Sequence, residues 1–252
     1  MFNEFTLNSN AKNATHVAEV KKNPKYRGDV LDIIPSKKQN YSNEFTLSKG
    51  ILQPVYSEMS DAPLRIFICG PSGCGKSTYA SWIVEDYKRK HPKNRFIVFS
   101  VKEKDPALDK YKPLRILCDE KLIDDPIEVK ELHNSLVLFD DIDQFGNKKI
   151  SKALNQLRDN VMSTGRSEGI ACLTTSQVML DGKRTKNTLT NTHQLFFFGN
   201  GGGKYHGFEF LTRYMRMPKV EANKYVNMPS RFVCVNRVVP MFLLTENGCI
   251  LL

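Results

Sequence analysis

One stretch of the sequence places chemically capable residues at a telling spacing. Gly70-Pro-Ser-Gly-Cys-Gly-Lys-Ser-Thr78 fits the pattern G-x-x-x-x-G-K-[ST]. Its glycines let a turn expose successive backbone N–H groups, which together cradle phosphate oxygens. A helix starting at the end of that turn adds the positive end of its dipole. Gly70, Pro71, Ser72, Gly73, Cys74, Gly75, Lys76, Ser77 and Thr78 are therefore the expected ATP-binding residues. Lys76 is expected to reach the β- and γ-phosphates, and the Ser77 hydroxyl to ligate Mg2+.

Such a site needs a carboxylate at the end of a neighbouring strand to hold the magnesium shell, and Leu136-Val-Leu-Phe-Asp140 supplies one. Asp140 is the expected metal residue. Asp141 follows at once, placed to accept a proton from an attacking water or to orient it. Asp143 and Gln144 read instead as a helix cap or a solvated turn. A later apolar run ends Leu173-Thr-Thr-Ser-Gln177, and a polar residue at the carboxyl end of a strand points into the ligand crevice of an open α/β sheet. Gln177 is thus expected to sense the γ-phosphate or hold the water. Arg166 lies in a turn just before that strand. At a subunit edge, such an arginine can supply positive charge to the phosphate transferring in a neighbouring subunit.

These residues must be positioned by regular elements. Leu64–Cys69 is a short apolar run before the glycine-rich turn, and a helical pattern covers 76–91 up to Pro92. Strand patterns follow at Arg95–Ser100, Arg115–Cys118, Ser135–Asp140, Gly169–Thr174 and Gln194–Phe198. Helical patterns fall near 120–132, over 148–164 and near 205–217, and paired strands are expected at Arg231–Val235 and Met241–Leu244. Apolar strands without polar alternation, separated by helices, imply a mostly parallel sheet with helices on both faces. Some 70 residues separate Gly70 from Asp140, with a strand and a helix between them. That gap predicts a P-loop NTPase of the additional-strand type, an α/β fold closed by a C-terminal hairpin or edge strands.

Two regions are expected: residues 1–62 as an extended or partly disordered arm, and residues 63–252 as a P-loop ATPase domain. The arm is rich in Asn, Ser and Lys and contains Pro24, Pro35 and Pro54. Asn-Glu-Phe-Thr-Leu occurs in it twice, at 3–7 and 43–47. Two copies are too few for a solenoid, so a short docking strand used twice is the functional reading and a local duplication without a role the bland one.

The chain has 252 residues, 25% of them charged and 40% hydrophobic, which excludes collagen-like and wholly disordered classes. No run approaches the length of a membrane span, and no secretory signal is expected. Six cysteines without C-x-x-C spacing read as reduced intracellular thiols. The net charge of +10 is uneven: residues 144–252 hold 15 Lys and Arg against 6 Asp and Glu. Such an excess is a footprint for a polyanion, most often nucleic acid, although a solvated lysine-rich face produces it too.

Taken in order, the Gly70–Thr78 loop, the Leu136–Asp141 strand with its paired aspartates, Gly165-Arg166 before an apolar strand and Gln177 after it resemble the FtsK–HerA superfamily. Within it, the similarity is to the poxvirus-type genome-packaging ATPases of large nucleo-cytoplasmic DNA viruses and their smaller relatives, over about residues 63–200. The resemblance implies a homo-oligomeric ring, pentamer or hexamer, that hydrolyses ATP to drive double-stranded DNA into a preformed capsid. It also implies a capsid or vertex protein as partner, and location in the virion or the infected-host cytoplasm. Many members carry Glu where Asp141 stands, and this branch often has His where Ser167 follows Gly165-Arg166. The expected DNA contacts are Lys183, Arg184, Lys186, Lys204, Arg213 and Arg216, with Gly201–Gly203 as a mobile loop. A P-loop small-molecule kinase, or a DNA-binding protein using ATP only as an assembly switch, shares the phosphate loop and differs in turnover and acceptor.

Overall fold

The computed structural model describes residues 2–36, 42–56, 62–199 and 203–252. In chain order the elements are β1 (Phe2–Leu7), β2 (Thr15–Lys21), β3 (Val30–Ser36), β4 (Glu44–Thr46), β5 (Ile51–Pro54), β6 (Arg65–Cys69) and α1 (Lys76–Lys90). Then come β7 (Arg95–Ser100), α2 (Pro106–Asp109), β8 (Leu114–Ile116), α3 (Lys121–Asp124), β9 (Ser135–Asp140), α4 (Lys148–Thr164), β10 (Ile170–Ser176) and α5 (Lys183–Asn191). The chain closes with β11 (Gln194–Phe198), α6 (Gly203–Arg213), α7 (Lys219–Val226), β12 (Phe232–Asn236), β13 (Phe242–Leu244) and β14 (Gly248–Leu251). Two compact units result, one from Ser60–His193 and one from Met1–Met59 with Gln194–Leu252.

The Ser60–His193 unit is built on five parallel strands in the order β6-β10-β9-β7-β8. Every residue of β9 and β10 is buried, as central strands of a parallel sheet covered on both faces require. Phe99 of β7 and Phe139 of β9 are register partners whose rings stack at 5.1 Å, so the next pair, Ser100 and Asp140, is held side by side. Helix α4 lays Ile150, Leu154, Leu157 and Val161 into the same core, at the spacing its sequence foretold.

Helix α1 and strand β7 lie between Gly70 and Asp140 in sequence, as the 70-residue gap implied, and the additional-strand fold expected from it is the one observed. The strand standing between β6 and β9 in the sheet is β10, which comes after β9 in sequence. The residues between Gly70 and Asp140 instead build β7 and β8, on the far side of β9. The acidic helix expected near 120–132 is two short pieces, α3 and a 3-10 turn at Val129–Leu132, because Pro126 cannot continue a helix.

The other unit contains two antiparallel assemblies. One runs β1-β3-β2-β5, and the other β4-β14-β13-β12-β11. The extended arm expected over 1–62 is therefore largely sheet. Its strands are short and hold few apolar residues, such as Val17, Ala18 and Val20 in β2 and Leu31 and Ile33 in β3, which is why composition concealed them. Asp32 of β3 is fully buried, its carboxylate accepting from the Ser9 N–H at 2.6 Å and facing His16 Nδ1 at 2.5 Å. Pro35 lies in the end of β3 that pairs with β1 alone, where a missing N–H interrupts no ladder on the β2 side. The two Asn-Glu-Phe-Thr-Leu copies supply β1 and β4, the end strand of each assembly, and Phe5 and Phe45 meet at 6.2 Å between ring centroids.

The C-terminal hairpin is present as β12 and β13, and β14 extends it. The single helix expected near 205–217 is α6 followed by the separate α7. Helix α6 approaches β11 so closely that a Cβ on Gly207 would stand 2.4 Å from the Phe197 ring. Gly203 opens that helix, while Gly201 and Gly202 of the expected loop lie outside the described residues. Among the described residues no helix is long and apolar enough to cross a membrane.

Candidate nucleotide site

The Gly70–Gly75 loop joins the carboxyl end of β6 to the amino end of α1. Its path is fixed at the start by the Gly70 N–H, which donates to the Ser176 carbonyl at the end of β10 at 3.1 Å. At its end Gly75 adopts φ +109°, a conformation that strains any residue with a Cβ. Lys76 is 7% exposed, and its ammonium donates to the loop's own Gly70 carbonyl at 2.9 Å. It also stands 3.6 Å from Asp141 Oδ2. The Lys76 ammonium is thus held over the loop by a loop carbonyl and the Asp141 carboxylate.

Asp140 ends β9 and is 2% exposed. Sheet register places it between Ser100 of β7 and Thr175 of β10. Ser100 Oγ donates to its Oδ2 at 2.9 Å and Thr175 Oγ1 to its Oδ1 at 2.8 Å. Thr175 Oγ1 also accepts the Asp141 N–H at 3.0 Å. Asp141 takes a left-handed conformation, φ 47°, which Asp tolerates better than most residues, and the turn it opens closes when Gln144 N–H donates to its carbonyl at 2.9 Å. Burial raises the Asp141 carboxyl above its ordinary range; neighbouring Lys76 opposes that shift and Asp140 adds to it. Asp143 is no solvated cap: it accepts from Ser176 Oγ at 3.3 Å and faces the buried Arg158 guanidinium at 3.9 Å.

Two further side chains converge here. Ser77 Oγ donates to Asp105 Oδ2 at 2.8 Å. The Lys102 ammonium lies 3.6 Å from Asp140 Oδ2 and 3.8 Å from Asp105 Oδ2. Among the described residues no group of three or more His, Cys, Asp or Glu converges as a metal cage. Magnesium bound with a nucleotide needs no such cage, since phosphate and water fill most of its shell. The all-oxygen donor set of Ser77 and Asp140, with a lysine ammonium standing where positive charge is wanted, fits that ion.

Comparison with known proteins gives a relative in the same size range. Over 197 residues the chain is 32% identical to "Uncharacterized protein V3" of Sputnik virophage, covering 77% of each. This chain belongs to the protein V3 family. Residues 66–187 also match the ATPase family associated with various cellular activities (AAA), a span that includes the phosphate loop, Asp140 and all of β10. The expected α/β P-loop NTPase fold, a mostly parallel sheet with helices and C-terminal strands, is the one observed. Among solved structures, the genome packaging NTPase B204 from Sulfolobus turreted icosahedral virus 2, in complex with sulfate, is 12% identical with a TM-score of 0.49, covering 74% of this chain and 96% of that one. The pCW3 conjugation coupling protein TcpA, bound to ATPgS, is 13% identical at a TM-score of 0.49, covering 92% of this chain and 77% of that one.

In this V3-family chain the structure gathers Lys76, Ser77, Asp140 and Asp141 at the carboxyl ends of β6 and β9. Gln177 follows β10 at the same end of the sheet and is exposed. Arg166 is not brought to this site. It precedes β10, near Arg65 at the start of β6, so the length of β10 separates it from the loop: seven residues, or about 20 Å at strand rise. Burial lowers the Arg65 pKa, and the positive charge of Arg166 adds to that shift. Of the expected DNA contacts, Lys183, Arg184 and Lys186 lie in α5, with Lys186 exposed. Lys204 is exposed and donates to Asn227 Oδ1 at 3.1 Å, and Arg213 pairs with Glu209 at 2.5 Å. Arg216 is exposed just after α6. The sequence reading missed Ser100, Lys102, Asp105 and Thr175. For Ser100 and Thr175 the available signal was a hydroxyl at or near the end of an apolar strand, and for Asp105 an Asp-Pro pair that starts a helix.

Proposed function

We propose that this chain is an ATP-hydrolysing motor that moves double-stranded DNA and packages a viral genome into a capsid. The observation that carries hydrolysis is the Asp141 carboxylate, buried beside Lys76 at the end of the strand that follows β10 in the sheet. When ATP binds the loop, Lys76 turns from Asp141 and the loop carbonyls to the β- and γ-phosphates. Asp141 is then free to orient the attacking water and take its proton. Its carboxyl, raised by burial, is a better base than an ordinary aspartate. Gln177 holds that water or senses the γ-phosphate. Ser77 and Asp140 hold Mg2+, which when bound screens the phosphate charge during transfer.

Arg166, a strand's length from its own loop, serves the neighbouring subunit of a ring of five or six. The basic excess of residues 144–252 holds the DNA backbone without reading sequence. A capsid or vertex protein docks the ring, in the virion or the infected-host cytoplasm. Displacement of a third strand from a triplex-bearing duplex tests this reading. A motor strips it in the presence of ATP and Mg2+. DNA binding and hydrolysis without displacement would identify an assembly switch instead, and phosphate transfer to a small acceptor a kinase.

A further inference from the structure

Asp105 and Lys102 stand at the magnesium side of the site, and the phosphate-loop and paired-aspartate motifs account for neither. Asp105 is 7% exposed and divides its carboxylate between two tasks. Oδ1 accepts the Ala107 N–H at 3.0 Å and so caps α2, while Oδ2 accepts from Ser77 Oγ at 2.8 Å. The Asp105 backbone is itself tied down, its N–H donating to Asp109 Oδ2 at 2.8 Å. The cap needs only one carboxylate oxygen, so the second is available to act on Ser77.

A serine hydroxyl has one proton and two lone pairs. To ligate a cation it must turn a lone pair inward and send its proton elsewhere, which requires an acceptor behind it. Asp105 Oδ2 is that acceptor. Its negative charge and that of Asp140 would repel one another across the metal position, and the Lys102 ammonium, within 4 Å of both, relieves this. Lys102 is suited to leave: its side chain is 44% exposed on a flexible stem, whereas both carboxylates are buried.

We propose that Asp105 is a positioning residue that turns the Ser77 lone pairs toward Mg2+, and that Lys102 is a resident counter-ion which competes with Mg2+ for Asp105 and Asp140. The proposal rests on the nucleotide-site reading above. It makes the magnesium dependence of nucleotide binding, rather than nucleotide binding itself, the property these two residues set.

The test is equilibrium binding of ATPγS to the full chain, with Mg2+ and with EDTA, reading the ratio of the two affinities. Asp105→Asn keeps an oxygen to cap α2 but weakens the acceptor behind Ser77. It lowers the ratio by about 10- to 100-fold, the range typical of partners that orient metal ligands, and spares the EDTA value. Lys102→Gln raises the ratio. If Asp105→Asn does not fold, Lys102→Gln, altering a half-exposed side chain, decides by itself. A ratio within about twofold of wild type in the variants that fold overturns the proposal, being far below that range. An equal loss with and without Mg2+ in Asp105→Asn does so too, since it reveals a cap alone. Lys76→Ala separates the two levels: if it leaves binding intact under both conditions, the phosphate-loop reading fails and this one with it. Weakened binding in Lys76→Ala beside an unchanged ratio in Asp105→Asn refutes the positioning role only.

Discussion

The Lys76 ammonium lies 3.6 Å from the Asp141 carboxylate, and both residues are more than nine-tenths buried. Burial penalises the ionised carboxylate more than the lysine offsets, so the Asp141 carboxyl binds its proton more readily in the folded chain than in the unfolded one. The charged site is therefore held at the expense of stability.

A pH dependence follows from that sign. Because the folded state holds the Asp141 proton more tightly, this residue's contribution to stability is greatest at acidic pH and falls as pH rises through its raised pKa. Asp141→Asn removes the ionisation and keeps the shape. Its melting temperature should exceed that of wild type near neutral pH, with the gap closing as pH drops through the carboxylate range. Thermal melts of both proteins between mildly acidic and neutral pH check this; a gap that widens on acidification contradicts it.

Thr175 ties the two aspartates together, donating to Asp140 and accepting from the Asp141 backbone. Thr175→Val keeps the volume but strands a buried N–H and a carboxylate oxygen. The expected loss is about 1–3 kcal/mol in stability, the cost of an unsatisfied buried group. Turnover should fall with it, since the left-handed turn at Asp141 loses its anchor. Denaturant unfolding beside steady-state ATP hydrolysis measures both.

Much of this arrangement was legible in the sequence. The loop, α1, β9, α4 and β11 announce themselves by glycine spacing, helical periodicity or unbroken apolar runs. Ser100 and Thr175 did not, because a hydroxyl at a strand end has no meaning until register sets it beside Asp140. Asp105 lies 28 residues from Ser77, and only the packing of α2 near α1 joins them. The first 54 residues hid four strands of one sheet because each strand contributes only a few buried side chains, and what joins them is pairing between segments distant in sequence, β1 and β2 with β3 and β5 with β2.

Cys74 offers a reporter within the loop. Burial raises the thiol of Cys69 and of Cys172 to about 12, and pushes Cys234 and Cys249 up as well. Cys74 and Cys118 are only partly buried, with Cys118 at about 11, while neighbouring Lys76 partly offsets the upward shift of Cys74. In the native chain a maleimide should modify Cys74 first, and ATP should protect Cys74 while leaving Cys118 unaffected. Mass mapping of labelled peptides with and without nucleotide reads the result.

Arg166 stands a strand's length from its own loop. Arg166→Ala should lower turnover by about 10³-fold, the lower range for an arginine acting on a transferring phosphate. Mixing it with Lys76→Ala should restore activity, because some interfaces then pair an intact Lys76 with a neighbour's intact Arg166. Phosphate release from mixtures across a range of ratios gives the answer, and mixtures as inactive as either variant alone remove the role in trans.

The most direct measurement is ATP hydrolysis by the purified chain with and without double-stranded DNA, at low and moderate salt, beside Asp141→Asn and Lys76→Ala. The account predicts hydrolysis that DNA stimulates, stimulation that fades as salt screens the phosphate contacts, and loss of turnover in both variants. Hydrolysis indifferent to DNA, or persisting in Asp141→Asn, would contradict it.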